Sequence, residues 1–482
     1  MKNENDKSTS NSEVCRFLSI GVVVILALST RRAEAASEFH PSLLLGTTWT
    51  DNITLAGDND PLKESGFVTQ VNPGFKFAQK AKRFSSSFEY TMQNVFFQSN
   101  SDRNATYHQG EAGFITELID SYVYLDGAGS YTQQLLDPKL PTNNGNLFLI
   151  ANQTDALAAH LSPSIRHEFE AFRFDARYTR GLIDYKNETG PAQLRDADTQ
   201  SYSGLIGSAD DLSRLTWEAQ YQKQEAKYEQ LPTYVFEQAH AELGWLFGKV
   251  LRVIGRSGAE SDMSQDPTKG GLDYKTWEGG FKWAASERTR IEAFIGDHFY
   301  GRSYSALAHH EAHYARWDLS YSEAPLTQAQ ESILHPIASD LAQLGRVEPG
   351  SVEFNRATAA VYLRKTFEAR LHIEGQRTGI DLFATDYRRE YLNGVIGNEH
   401  LKGGSIELTR HFSGQTEFHV SGKLEDSDLV EGVGYREVDF SMELRRRLGE
   451  NVHTSLRASR IDRTGSADYT ANLITATIAG EY

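Results

Sequence analysis

Apolar and polar residues alternate along most of this chain. Phe84, Phe88, Tyr90, Met92 and Phe96 share one parity, with Ser85, Ser87, Glu89, Thr91 and Gln93 between them. Phe172, Phe174, Ala176 and Tyr178 alternate with Arg173, Asp175, Arg177 and Thr179 in the same way. So do Leu215, Trp217, Ala219 and Tyr221 with Thr216, Glu218, Gln220 and Gln222. A period of two predicts strands, because successive side chains of an extended backbone point to opposite faces. Charges at every second position do not suit the dry inner face of a sandwich. They suit a barrel whose apolar face meets lipid and whose polar face lines a lumen, which makes Arg173, Asp175 and Arg177 candidate lumen-facing residues.

Connections between these segments alternate in length. Short ones fall near Lys80–Lys82, Ile119–Asp120, Glu168–Ala171, Asp210–Leu212, Gly248–Lys249, Ser286–Arg288, His310–Ala312, Gln376–Thr378, Phe412–Gly414 and Gly449–Asn451. Longer polar ones include Leu135–Asn152, Lys186–Asp196, Glu260–Gly271 and Ala324–Asn355. Short periplasmic turns and longer outer loops are the rule for outer-membrane barrels. Ten short turns with both chain ends on the periplasmic side predict an all-β, single large antiparallel transmembrane β-barrel of about 22 strands, within a range of roughly 18 to 24. All six tryptophans (Trp49, Trp217, Trp245, Trp277, Trp283 and Trp317) fall inside predicted strands.

The two ends of the chain extend this picture. At the carboxy-terminus Ile474, Ala476, Ile478, Gly480 and Tyr482 share one face, and Thr475, Thr477 and Glu481 the other. This segment is expected to close the barrel against the strand from His40 to Asn52. Ile474, Ala476, Ile478 and Tyr482 are then the assembly signal read by the barrel-assembly machinery. At the amino-terminus a weakly basic start (Lys2, Lys7, Arg16) precedes the apolar run Phe17–Leu28 and the small-residue pattern Ala33-Glu34-Ala35. That is the form of a secretory signal peptide over residues 1–35, with the barrel occupying 36–482. The apolar run is short of the about 20 residues that a spanning helix needs.

Composition narrows the function. Cys15 is the one cysteine and precedes the apolar run, so the exported part has no disulfide framework and no thiolate metal site. A formal net charge of −16 argues against nucleic acid, which selects a basic footprint. Acidic residues gather in the longer loops (Asp58, Asp60, Glu64; Glu188, Asp196, Asp198; Glu260, Asp262, Asp266; Asp426, Asp428, Glu431), while several short turns are basic (Lys80, Lys82, Arg83; Arg445, Arg446, Arg447). Carboxylate oxygens suit hard cations, so the acidic loops are placed to bridge lipopolysaccharide phosphates. Solvated loops are the plainer reading.

Four stretches carry a family resemblance: Thr48-Trp49-Thr50-Asp51-Asn52-Ile53; Tyr90-Thr91-Met92-Gln93-Asn94 followed by Ser101-Asp102-Arg103-Asn104; Arg316-Trp317-Asp318-Leu319-Ser320-Tyr321-Ser322-Glu323; and Tyr387-Arg388-Arg389-Glu390-Tyr391. In order and spacing the chain resembles an uncharacterised family of outer-membrane proteins associated with PEP-CTERM/exosortase systems, from about residue 40 to its end. The resemblance implies a Gram-negative envelope, a neighbourhood of exopolysaccharide genes and a protein-sorting system as partner. It implies no activity. The chain lacks a Pro-Glu-Pro motif followed by an apolar helix and a basic tail, so it reads as a companion of the sorting system and not as its substrate.

Catalytic motifs are scarce. His309-His310-Glu311-Ala312-His313 is the densest histidine cluster, but the zincin pattern H-E-x-x-H is off by one residue and lies on strand–turn–strand, so polar turn residues are the better reading. Neither a G-x-S-x-G elbow nor a phosphate-binding glycine loop occurs. No catalytic residue, metal or cofactor is implied. The expected function is therefore a porin-like, non-enzymatic pore or accessory barrel in exopolysaccharide export or PEP-CTERM sorting. Alternatives are a closed-lumen structural or binding barrel acting through its loops, an outer-membrane hydrolase, and a soluble periplasmic all-β protein. No plug domain fits between residues 36 and 40, so a loop, with Ala324–Asn355 as leading candidate, is expected to fold inward if the lumen is closed.

Overall fold

The structure is a computed structural model that describes residues 36–482 apart from 138, 187–195, 210–212, 229–230, 328–329, 331–360, 393–396 and 429–432. The leader 1–35 and nearly all of the loop singled out above as a plug lie outside the described residues, as do Glu188 and Glu431. Twenty-two strands follow one another. They are β1 (Ala36–Thr50), β2 (Gly66–Ala81), β3 (Phe84–Phe97), β4 (Ala105–Ile119), β5 (Val123–Leu135), β6 (Gln153–Glu168), β7 (Phe172–Tyr185) and β8 (Ala197–Ser208). Next come β9 (Leu215–Tyr228), β10 (Tyr234–Phe247), β11 (Leu251–Glu260), β12 (Tyr274–Ser286), β13 (Thr289–His298), β14 (Gly301–Glu311) and β15 (Ala315–Leu326). The last are β16 (Tyr362–Glu374), β17 (Thr378–Tyr391), β18 (Glu399–His411), β19 (Thr416–Asp428), β20 (Gly434–Arg447), β21 (Val452–Gly465) and β22 (Tyr469–Glu481).

Each strand runs antiparallel to its sequence neighbours, and β1 pairs with both β2 and β22, so the sheet closes on itself. Closure leaves neither the first nor the last strand with a free edge. Nine β1 residues, from Ser42 to Thr50, meet β22 between Glu481 and Leu473. The backbone N–H of Tyr482 then donates to the Pro41 carbonyl at 2.9 Å. Gly480 gives the Tyr482 ring room, since a Cβ there would lie 3.1 Å from Tyr482 Cε2.

The connections at the end bearing Ala36 and Tyr482 are all between two and six residues long, and they fall within two residues of the predicted short turns. The turn predicted at Asp210–Leu212 lies outside the described residues, flanked by β8 and β9. The opposite end carries the long loops, though not at every connection: β21 and β22 are joined there by residues 466–468, and β13 and β14 by Phe299 and Tyr300 alone. Gly301 makes so tight a turn possible, with φ +104, a conformation costly for any residue bearing a Cβ.

Burial follows the sequence parity. Trp217, Tyr221, Leu243, Trp245, Val253, Trp277, Ile406, Met442, Ile474 and Ile478 all point outward and exposed. An apolar outer face over every strand is the surface of a barrel that sits in lipid. Exposed aromatics ring the short-turn end, among them Phe39, Tyr122, Phe169, Phe247, Tyr314 and Phe412, as an interfacial girdle does. Prolines leave local marks. The β2–β3 ladder skips Asn72 and Pro73, and the β6–β7 ladder skips Ser162 and Pro163, because proline supplies no N–H. Side chains bridge both breaks, with Asn94 Nδ2 donating to the Val71 carbonyl at 2.8 Å and Ser162 Oγ lying 2.8 Å from Thr179 Oγ1.

Candidate functional site

The inner wall is built from the polar parity of each strand and is held by ion pairs that cross strands. Arg173 on β7 reaches Glu218 on β9 at 2.8 Å, and Arg177 pairs with Asp126 on β5. Asp175, between them on the same face, stands across from Arg166 in the β6–β7 register. The same construction continues elsewhere, with Lys76–Glu89 at 3.7 Å, Lys282–Glu292 at 3.8 Å and His372–Asp381 at 2.6 Å. Arg389 and Glu399 are fully buried on this wall, 3.7 Å apart, with the Arg389 guanidinium over the Tyr362 ring and the Tyr391 hydroxyl donating to Glu399. The histidine cluster divides by parity: His309 turns toward Asp318 at 2.6 Å, while His310 meets Thr289 and Trp317 on the opposite face. His313 lies in the following turn against Tyr314.

Among the described residues, loop 136–152, between β5 and β6, folds inward and packs on the wall together with Ile53 and Leu55 of the loop between β1 and β2. It contains the apolar run Leu147-Phe148-Leu149-Ile150. Phe148 is 2% exposed, packed with Leu55 and with Ile461, Tyr469, Ala471 and Leu473 of β21 and β22. Leu147 and Leu149 pack on Ile53, Val68, Val95 and Phe97. Polar bonds fix the same loop. The carbonyl of Gly145 accepts from Gln70 at 3.0 Å and Gln93 at 2.6 Å, Asn146 donates to Gln93 at 2.8 Å, and the Leu149 N–H donates to the Ile53 carbonyl at 2.9 Å. Gly145 and Asn146 both have positive φ, which suits the sequence Asn-Gly-Asn. The loop braces itself through Asn143, which accepts from the Phe148 N–H, and Asn152, which takes the N–H and carbonyl of Asp137. The sequence signal for this was present in the four consecutive apolar residues, since such a run does not stay in water.

A second feature lies on a separate arc of the wall, at the outer ends of β9 to β16. There a pocket of about 510 Å³ opens beside the buried residues Glu260 and His298. His298 has a carboxylate at each ring nitrogen, with Nδ1 3.0 Å from Glu260 and Nε2 3.2 Å from Glu278. Glu260 also accepts the Phe299 N–H at 2.8 Å. Arg256 bridges Glu242 at 2.7 Å and Glu278 at 2.9 Å. The Tyr300 ring lies parallel to the His298 imidazole, with centroids 5.2 Å apart, and burial pushes its hydroxyl above the usual tyrosine range. Above the pocket Phe236, Met263, Phe299 and Val361 form an apolar cluster. Sequence reading missed this group because its members are spread over β10 to β13 and meet only through register.

Two of the outer-loop carboxylates, Asp58 and Asp266, are engaged locally. The Lys63 ammonium bonds Asp58 at 2.8 Å and holds its carboxyl below the usual range, and the hydroxyl and N–H of Thr268 do the same for Asp266.

No protein-family model and no curated protein matches the chain. Solved structures do. A mutant of the ferric enterobactin receptor of Pseudomonas aeruginosa, in complex with enterobactin, aligns at TM-score 0.52 and 9% identity, over 93% of this chain and 82% of that one. The apoprotein form of the FrpB iron transporter from Neisseria meningitidis aligns at TM-score 0.50 and 9% identity, over 92% of this chain and 81% of that one. At such identity the likeness is one of fold, and the fold is that of a large outer-membrane β-barrel.

Proposed function

We propose that this protein is a non-enzymatic barrel of the outer membrane that passes hydrophilic cargo, serving exopolysaccharide export or the sorting pathway that the PEP-CTERM resemblance implies. The observation that carries this reading is the inner wall, whose hydrogen-bonding and ion-paired side chains suit hydrated cargo. Loop 136–152, docked at the outer mouth, is the natural constriction of such a path. On this reading residues 1–35 direct the chain to the periplasm. The barrel-assembly machinery then inserts it by way of Ile474, Ala476, Ile478 and Tyr482, and lipopolysaccharide surrounds its outer rim.

Conductance in planar bilayers tests the reading. The mature chain is expected to give discrete steps, and deletion of Lys139–Ile150 to raise the step size. Silence from both would overturn the pore. It would favour the closed-lumen binding barrel, a reading already supported by the pocket beside His298. Steady hydrolysis of lipid or peptide substrates by the purified protein would overturn the non-enzymatic part.

A further inference from the structure

The seam between β14 and β15 is unlike every other in the barrel. Its ladder runs only from Ala306–Tyr321 to Glu311–Arg316, six paired positions, where every other ladder has at least eight. Both strands continue outward beyond it. Gly301–Ser305 stays paired with β13 on its far side, and Ser322–Leu326 stays paired with β16. Toward each other, these two segments have no ladder among the described residues. Pro325 fits such a lip, since a proline on an open edge breaks no ladder on that side.

The height of this opening decides its meaning. A strand tilted about 45° rises about 2.4 Å per residue along the barrel axis, so the six paired positions cover about 14 Å. The apolar band of an outer-membrane barrel is about 25 Å tall. The paired part therefore crosses the half nearer the short turns, and the open part lies in the outer leaflet. Sheet edges are not left bare in hydrocarbon; they persist where they line a polar cavity. The pocket described above is that cavity. Tyr300, Ser303 and Ser305 line it from one lip, and Glu323, Ala324 and Pro325 from the other. The apolar cluster of Phe236, Met263, Phe299 and Val361 lies at its outer end.

The lining specifies a head group. Arg256 and His298 are each taken up by two carboxylates, and Arg364, also on the lining, has a partner of its own, so none of the three is free to meet a phosphate. What the pocket offers instead is uncharged and bifunctional: the amides of Gln222 and Gln238, directly across from each other in register, and the hydroxyls of Ser303 and Ser305. Glu323 adds a buried oxygen, Oε2, that has no hydrogen-bond partner among the described residues. Paired amides, hydroxyls and a spare carboxylate oxygen match a ligand dense in hydroxyl groups. We infer that this pocket binds the saccharide head of an outer-leaflet glycolipid, whose acyl tail leaves through the β14–β15 seam into the bilayer. The inference rests on the barrel lying in lipid and is independent of whether the lumen conducts.

The test is photolabelling of the mature protein in nanodiscs. The probes are an alkyl maltoside carrying a diazirine on its tail and a phosphocholine with the same tail; free maltose is the competitor. The maltoside label is expected on Tyr304 and Tyr321 at the lips, several-fold above the phosphocholine label, and to fall with excess maltose. Ser303→Cys with Ala324→Cys should lower the lip label when unbridged, through the lost Ser303 hydroxyl, and abolish it when bridged by a short bismaleimide. Gln222→Leu with Gln238→Leu should remove the preference for maltoside, with the heat-dependent gel shift of the barrel confirming its fold. Even labelling around the barrel by both probes would overturn the proposal. Maltose binding without lip labelling would overturn the lipid source, and lip labelling indifferent to the head group would overturn the saccharide.

Discussion

Truncating Phe148 should release loop 136–152 from the wall. The ring is 2% exposed and packed among Leu55, Ile461, Tyr469, Ala471 and Leu473. Removing a phenylalanine from such a site costs about 3–5 kcal/mol. Each neutral hydrogen bond that holds the loop, such as Gln70 or Gln93 to the Gly145 carbonyl, is worth about 0.5–1.5 kcal/mol. Phe148→Ala should therefore outweigh the loss of any single one of these bonds. About 3 kcal/mol corresponds to a rise of more than 100-fold in the undocked fraction, at about 1.4 kcal/mol per decade. Hydrogen exchange of amides 143–150 reads that fraction directly, and tryptic cleavage at Lys139 gives a second measure. Phe148→Leu nearly conserves the packing and should cost less than about 1.5 kcal/mol. Unchanged exchange in Phe148→Ala would refute the claim that apolar packing docks the loop. So would equal loss of protection in β21 and β22, which would mean that the barrel had loosened instead.

Other outcomes follow from single features. Glu399→Gln should remove the carboxylate charge beside the buried Arg389 and destabilise the barrel by up to the about 3–5 kcal/mol typical of a broken buried pair, read as a lower temperature for the heat-dependent gel shift; an unchanged transition would speak against that pair. Gly145→Ala forces a Cβ into φ +65, at roughly 1–2 kcal/mol, and should raise exchange in the loop without touching β3. Deleting Tyr482, with its bond to the Pro41 carbonyl and its ring over Gly480, should reduce insertion while leaving export to the periplasm intact; fractionation showing normal membrane levels would contradict this. Because Lys63 holds Asp58 below the usual carboxylate range, that contact contributes at neutral pH and is lost as pH falls through the lowered value. Exchange of residues 57–64 should rise on acidification, and Lys63→Met should abolish the dependence.

The barrel was legible in the sequence because a lipid-facing sheet writes its geometry into every second residue. Phe172, Phe174 and Tyr178 announce the outer face of β7 as plainly as Arg173 and Arg177 announce the inner one. Turns were legible for the same reason, since the alternation stops there. Register was not, and both candidate sites depend on it. Glu260, Glu278 and His298 stand on three strands, and nothing local says that they meet. Loop 136–152 was read as a polar outer loop although Leu147–Ile150 contradicted that reading. The partners of that run, Ile53 and Ile461, are remote in the chain. The tight turn at Phe299–Tyr300 was hidden for a different reason: it depends on one glycine with positive φ, and glycines are common here.

Closure of β1 on β22 also sets a folding order. The hydroxyls of Thr48 and Thr475 meet across 427 residues of sequence, so the strand made first waits for the strand made last. Contacts of such separation form late, because the entropy of bringing distant segments together is lost before any pairing offsets it. Until then β1 presents an unpaired edge, the kind that recruits strands of other chains. The unfinished barrel is thus its own most dangerous state. A chain built this way cannot close its sheet progressively; β1 must be kept from the strands of other chains until β22 is in place.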